Sequence, residues 1–125
     1  MDKTEFRVLR KKLRKTQKQM AQLLGVSLKA VHSYEQGWRA VPPAVERHVL
    51  FLMSLTGPAE PMPPCWDVKN CLPEQRAKCP ASELNCGDRC WMVNGTISGG
   101  ADQGSWENKM TACRACPVFR ARIPL

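Results

Sequence analysis

Residues 16–42, TQKQMAQLLGVSLKAVHSYEQGWRAVP, decide the fold of the first half of the chain. The motif Thr16-x-x-Gln19 has the form of a capping box and predicts that a helix begins there. Gly25 is a natural C-terminal stop for that helix. Ser27 can cap a following helix that runs to about residue 36, where Gly37 ends it. The stretch therefore predicts two short helices joined by a tight turn.

A helix is predicted on each side of this pair. Residues 4–15 have the pattern of a basic amphipathic helix, with Phe6, Leu9 and Leu13 on one face. Pro42-Pro43 opens a helix over residues 44–55 that is apolar on more than one face. The surplus apolar surface indicates a second buried face, against the second half of the chain or another copy, unless a few apolar side chains are simply exposed.

Charge and cysteine divide the 125-residue chain into unlike halves. Up to Gly57 there are eleven Lys/Arg against four Asp/Glu, and after it eight against seven, so the net charge of +8 divides into +7 and +1. A partner rich in negative charge should therefore meet the first half. All seven cysteines lie in the second half. The Pro-rich residues 58–64 predict a linker between domains at 1–57 and 65–125.

The residue types also limit the compartment and the class of protein. The N-terminus has no apolar signal segment, and no apolar run approaches the roughly 20 residues that span a bilayer. We therefore expect a cytoplasmic protein without a membrane partner, in which cysteines serve more often as metal ligands than as disulfides. Both histidines lie in the first half, so no Cys/His pair supports catalysis, and we expect no enzyme.

The pattern from Thr16-Gln17 through Leu24-Gly25-Val26-Ser27 and Tyr34-Glu35-x-Gly37-x-Arg39 to Pro42 resembles the phage-repressor (Cro/Xre) family over about residues 4–55. The resemblance implies a small five-helix-type helix-turn-helix domain that binds a double-stranded DNA operator as a homodimer.

Carried over to this chain, the family pattern gives each DNA-facing residue a role. Gln17 would bond a phosphate and brace the recognition helix, and Lys18 and Arg39 would contact phosphates. Lys29 is the residue expected at a base edge, because lysine can reach guanine acceptors. The residues expected to face the major groove are Ser27, Leu28, Lys29, His32 and Ser33.

The cysteine spacing, Cys65-x5-Cys71-x7-Cys79-x6-Cys86-x3-Cys90-x22-Cys113-x2-Cys116, leaves the metal open. Cys86-x3-Cys90 with Cys113-x2-Cys116 approaches a zinc ribbon but uses four of the seven. Cys79-Pro80 and Cys116-Pro117 are typical of iron–sulfur sites, and the Gly-rich residues 94–100 could bring backbone N–H groups close to sulfurs. Trp66 and Trp91 could shield such a site or be ordinary core aromatics.

The same half resembles the two-CW domain, a module found in signalling proteins of anaerobic bacteria. The residues that carry the resemblance are Cys65-Trp66, Cys71, Cys79-Pro80-Ala81, Cys90-Trp91-x-Val93-x-Gly95-Thr96-Ile97-x-Gly99-Gly100 and Cys113-x-x-Cys116-x-x-Phe119. It implies a sensory input module. Ser98 stands where that pattern often has a further Cys, and Cys86 is extra. The ligands that the resemblance implies are Cys65, Cys71, Cys79, Cys90, Cys113 and Cys116.

Together the two halves predict a mostly α protein: a helix-turn-helix domain followed by an irregular, metal-bound cysteine-rich domain. The predicted function is a transcription regulator, a repressor, whose iron–sulfur cluster of the [4Fe–4S] type acts as redox or ligand sensor. The alternative is a constitutive DNA-binding adaptor in which a structural zinc site recruits a protein partner. A metal that only staples a small domain, and free thiols or disulfides, also stay open.

Overall fold

The computed structural model describes residues 1–57 and 63–123 and divides into two compact units, one ending at Met53 and the other beginning at Ser54. Helices dominate both units, which confirms the mostly α prediction. Most of the predicted linker, residues 58–62, lies outside the described residues. None of the helices in the described ranges has the length and apolar character needed to cross a bilayer.

Four helices lie within residues 1–57, one fewer than the five-helix type that we expected for this domain. The bounds of these helices are α1 Lys3–Lys12, α2 Gln17–Leu24, α3 Leu28–Gln36 and α4 Pro43–Ser54.

Side-chain caps and glycines fix where these helices begin and end. Both bonds of the predicted capping box at Thr16 are present, and the Ser27 hydroxyl accepts the backbone N–H of Ala30. Gly25 and Gly37 end α2 and α3 in the left-handed region, with φ of 67° and 77°. These predicted bounds are confirmed. The first helix ends earlier than expected, at Lys12, and Arg14 beyond it has a left-handed φ of 57°.

The core of the first unit joins apolar side chains of α1, α2 and α3. The Phe6 ring meets the Tyr34 ring edge-on, with 5.6 Å between centroids, and Leu9, Met20 and Val31 are buried with them. On α4 the buried apolar side chains are Val45, Val49, Leu50 and Met53, while Leu55 just beyond it is exposed. This helix is therefore buried on more than one face, as the sequence predicted.

A buried carboxylate ties the three core helices together. Glu35 on α3 accepts from the Nε of Arg10 on α1 at 2.6 Å and from the Nε2 of Gln17 on α2. Arg7 on α1 donates to the Glu35 carbonyl at 3.3 Å. Burial opposes ionisation, but the hydrogen bonds from Arg10 and Gln17, with the charge of Arg10, hold the pKa of the Glu35 carboxyl below its ordinary value.

The second unit is a chain of short helices with one small hairpin. The bounds are α5 Cys65–Val68, α6 Pro73–Ala77, α7 Pro80–Glu83, α8 Cys90–Val93, α9 Trp106–Arg114 and α10 Pro117–Arg122, with β1 Ile97–Ser98 paired antiparallel to β2 Ala101–Asp102. The domain that we expected to be irregular therefore contains short helices and one two-stranded hairpin in its described residues. Proline at the first turn of α6, α7 and α10 supplies a helical φ without needing an N–H partner.

A small aromatic core closes the second unit. Trp91 is fully buried and meets the Phe119 ring edge-on at 5.6 Å, and Val118 on α10 and Ile123 directly after it are also buried. Trp91 is thus a core aromatic, which was one of the two interpretations of this residue.

We predict that Glu35→Gln lowers the free energy of unfolding of the first unit by about 3 kcal/mol at neutral pH, because it removes the buried carboxylate and leaves the partly buried guanidinium of Arg10 without its counter-charge. Urea unfolding followed by circular dichroism measures the loss. Because the folded-state pKa of Glu35 is lowered, its contribution is present above the ordinary glutamate pKa and is lost as the pH falls below it. The difference between variant and wild type should therefore shrink on acidification.

The matched control is Glu5→Gln in the first turn of α1, where loss of the helix-dipole interaction costs at most about 1 kcal/mol. Equal losses for the two variants would contradict the bracing role of Glu35.

Candidate nucleic-acid interface and thiol cavity

One face of α3 is buried and the opposite face is exposed. Ala30, Val31 and Tyr34 pack into the core. Four residues on and just before the helix that are predicted to face a partner are exposed: Ser27, Leu28, Lys29 and His32. The exposed fraction of Leu28 is 49%, which is high for a leucine on a helix that contributes to the core.

The expectation that Ser33 lies outward is wrong. Its exposed fraction is 6%, because it lies one helical turn from Ala30 on the core-facing side. The Ser33 carbonyl also accepts the backbone N–H groups of Trp38 and Arg39, which anchors the turn after α3.

The remaining predicted residues surround this face in different ways. The Gln17 amide is engaged with Glu35, which is the expected bracing contact to α3; its phosphate contact stays a prediction. Lys18 is exposed on α2. Arg39 is exposed, and its guanidinium carbon lies 5.8 Å from the centre of the Tyr34 ring.

Trp38 is a surface residue that the sequence analysis missed. It keeps 72% of its surface and lies directly after the glycine that ends α3. Its ring meets the His32 ring edge-on, with 5.4 Å between centroids, so His32 and Trp38 form an exposed aromatic pair. A tryptophan between Gly37 and Arg39, in a turn that the sequence already identified, was the available signal.

Five of the six predicted ligand cysteines line one cavity in the second unit. These are Cys65, Cys71, Cys79, Cys90 and Cys113. The cavity measures about 20 Å³, the room of about one water molecule. The sixth, Cys116, is buried but does not line this cavity, and neither does Cys86.

Three of the thiols are linked by hydrogen bonds. Hydrogen bonds from the Cys113 and Cys65 thiols, with the nearby charges of Lys109 and Lys69, lower the pKa of Cys90 despite its burial. The hydrogen bond to Cys90, followed by burial, raises the pKa of both Cys65 and Cys113. The cluster therefore favours a thiolate at Cys90 held by two neighbouring thiols.

Other polar groups shape the cavity wall. Asn94 donates from Nδ2 to the Cys79 sulfur at 3.4 Å and accepts the Ala81 N–H at 2.9 Å, which fixes its amide. Trp66 lines the cavity under the guanidinium of Arg76, 5.0 Å from the ring centre. The Arg76–Trp66 contact connects α6 to α5, and the Asn94–Ala81 hydrogen bond connects the end of α8 to α7.

The cavity suits thiolate ligation but is not a closed coordination shell. Among the described residues no three or more His, Cys, Asp or Glu side chains are arranged to hold a metal ion. The donors that line the cavity are soft sulfurs, the ligand type that zinc and iron–sulfur clusters prefer. A single ion would require thiols to close around one point, and a cluster of several irons would require the cavity to widen.

The hairpin turn closes one side of the cavity. Gly99 and Gly100 connect β1 to β2 with φ of 63° and 79°, the pair of left-handed residues that a tight hairpin requires. A Cβ on Gly100 would lie 2.8 Å from the Gln75 carbonyl oxygen on α6, whereas a Cβ on Gly99 would meet nothing within 4 Å. Ser98, Gly99 and Gly100 all line the cavity.

We predict that Gly100→Ala destabilises the second unit more than Gly99→Ala. Both variants pay the cost of a left-handed alanine, about 1 kcal/mol, but only the first also forces the hairpin away from α6. Thermal unfolding and the rate of thiol labelling by a maleimide measure the effect, with faster labelling expected in Gly100→Ala alone. Equal effects would show that the approach to Gln75 does not hold the cavity wall.

Comparison with known proteins does not assign either site. No family model, no curated protein and no solved structure matches this chain. The function of the exposed α3 face and of the thiol cavity therefore has to be inferred from their own residues.

Proposed function

We propose that the first unit is a helix-turn-helix domain that binds duplex DNA through the exposed face of α3, and that the protein is a transcription regulator. The observation that carries the proposal is that α3 is held rigidly on one side and carries a row of exposed side chains on the other. Glu35 ties α3 to α1 and α2, and the opposite face carries Leu28, Lys29 and His32.

A single α-helix such as α3 can enter the major groove, where base edges carry distinct donor and acceptor patterns. Lys29 lies in the first turn of α3, the end of a recognition helix that reaches base edges. Leu28 offers an apolar surface suited to a thymine methyl group. In this proposal Lys29 reads a guanine and Leu28 reads a thymine.

Charge supports the same partner. The first 57 residues hold a net charge of +7. Two exposed cations of this region are Lys18 on α2 and Arg39, three residues after the end of α3. Each phosphate neutralised by such a cation releases counter-ions, so binding weakens as salt rises. The same charge distribution attracts duplex DNA before any base is read.

We predict that Lys29→Ala weakens binding to the preferred duplex by about 1–3 kcal/mol, a loss of roughly 5- to 150-fold, and relaxes the base preference at one position. Arg39→Ala should weaken binding to all duplexes alike and reduce the slope of log K against log salt by about 1. Fluorescence anisotropy with labelled duplexes at several salt concentrations measures both effects.

The matched control is Lys78→Ala, which removes one exposed lysine from the second unit. It should leave both affinity and salt slope unchanged. If Lys29→Ala behaves like Lys78→Ala, then α3 is not the DNA-facing helix; if no salt-dependent binding to duplex DNA occurs at all, the proposed function fails.

We further propose that the thiol cavity of the second unit holds a thiolate-ligated metal centre, an iron–sulfur cluster that makes the regulator a sensor. What supports this is the gathering of Cys65, Cys71, Cys79, Cys90 and Cys113 around one cavity. A cluster would supply one-electron redox chemistry at that point. The chain's own contribution is to present thiolates, to hold Asn94 against the Cys79 sulfur and to limit water through Trp66.

A structural zinc ion is the second candidate for the same thiols. It is favoured by the hydrogen bonds that link the Cys90 thiol to those of Cys65 and Cys113, since zinc gathers thiolates closely around one atom. With zinc, DNA binding would be constitutive and the second unit would recruit a protein partner. Iron, sulfide and zinc analysis of protein purified without oxygen separates the two candidates.

We predict that Cys90→Ser removes most of the bound metal, because Cys90 lines the cavity and its sulfur is hydrogen-bonded with those of Cys65 and Cys113. Cys86→Ser should retain the metal of the wild type, because Cys86 does not line the cavity and its Sγ donates to the Leu84 carbonyl. Metal content per chain and the visible absorption spectrum measure the outcome. Equal metal loss in both variants, or full retention in Cys90→Ser, would contradict this site.

A further inference from the structure

A lysine is buried beside the coupled thiols. Lys109 on α9 keeps 1% of its surface, which is rare for a lysine because an ammonium loses its hydration on burial. Its side chain lines the thiol cavity. Burial of the Lys109 ammonium therefore costs the folded state a substantial desolvation free energy.

The contacts of Lys109 hold its ammonium group beside the residue that follows Cys90. The Nζ donates to the Trp91 carbonyl at 3.3 Å, on the residue that directly follows Cys90. It lies 5.3 Å from the centre of the Trp106 ring, one turn earlier on α9. Cys113 lies four residues after Lys109, so both side chains share one face of that helix.

The charges around the cavity have one sign. Within the part of the chain that the structure describes, the charged residues that line it are Lys69, Arg76 and Lys109, and no Asp or Glu is among them. A cavity lined by three cations and five thiols is suited to a group of net negative charge. Thiolates bound to a metal form such a group.

We propose that Lys109 is the built-in counter-ion of a metal-bound thiolate centre and raises its reduction potential. This inference rests on the metal centre proposed above for the cavity, and it is independent of DNA binding. A positive charge beside the ligand sulfurs stabilises the reduced form, which holds one more electron, over the oxidised form. Lys109 is a positioning and tuning residue and not a ligand, since an ammonium has no free electron pair.

The test uses the full chain, purified without oxygen and supplied with ferrous iron and sulfide. Lys109→Met keeps most of the side-chain volume and removes the charge, and Lys109→Arg keeps the charge. Lys78→Met is the matched control, because it removes an exposed lysine that does not line the cavity. A dye-coupled redox titration followed by absorption gives the reduced fraction of the cluster at each potential.

We expect Lys109→Met to lower the ratio of reduced to oxidised cluster at a fixed potential by on the order of tenfold, because one nearby charge is lost. Lys109→Arg should stay close to the wild type, and so should Lys78→Met. A purely structural role for Lys109 would lower cluster content in both Lys109 variants without moving the potential of the cluster that remains. That result, or an unchanged potential in Lys109→Met, overturns the inference.

Two further outcomes separate this inference from the proposals it rests on. If the wild type takes up zinc in place of iron, the readout is zinc release to a chelator, which should be faster in Lys109→Met and unchanged in Lys109→Arg; equal release in all variants overturns the inference. A wild-type chain that binds neither metal overturns both this inference and the metal centre, and leaves the DNA-binding proposal standing.

If Lys109→Met does not fold, Lys69→Met removes another cation of the cavity wall and should shift the potential in the same direction, by less because Lys69 is exposed. An unchanged potential in that variant overturns the inference.

Discussion

The buried carboxylate of Glu35 is the constraint on which the first unit depends. This side chain belongs to α3 and bonds α1 through Arg10 and α2 through Gln17. Apolar packing of Phe6 against Tyr34 supplies cohesion between α1 and α3 but little directional control. The charge-assisted bonds fix the rotation of α3, and that rotation decides which of its residues reach solvent.

Thiols have the corresponding place in the second unit. Its helices are short, from four to nine residues, so each contributes little stability by itself. The cavity gathers cysteines from α5, α8 and α9 and from the segments between helices, and a metal bound there would join elements that are distant in the chain. The proposed sensor would therefore be the same feature that stabilises the fold, which makes loss of the metal a structural event.

Local chemistry could be predicted from the sequence, and long-range placement could not. The cap at Thr16 and the stops at Gly25 and Gly37 follow from residues within four positions, and they are confirmed. Ser33 was assigned outward because a polar residue on a helix is usually exposed, but the core-facing side of α3 and the turn after it bury this one.

The thiol cavity shows the same division between local and distant information. The resemblance named six ligand cysteines, and the cavity gathers five of them. The exception is Cys116, which directly precedes α10 and is buried without lining the cavity. The role suggested here for Lys109 had no signal in the sequence, since a lysine in an amphipathic helix is normally solvated. Only the packing of α9 against the segment around Trp91 reveals it.

The most direct test of the central claim is selection of duplexes from a random DNA library by the full-length protein, followed by sequencing. The account predicts enrichment of a defined motif, in two half-sites about one helical turn apart if the protein binds as a dimer. Alanine at Lys29 should broaden the motif at one position in each half-site. A library that stays random after repeated rounds, with retention independent of salt, would contradict DNA recognition by α3.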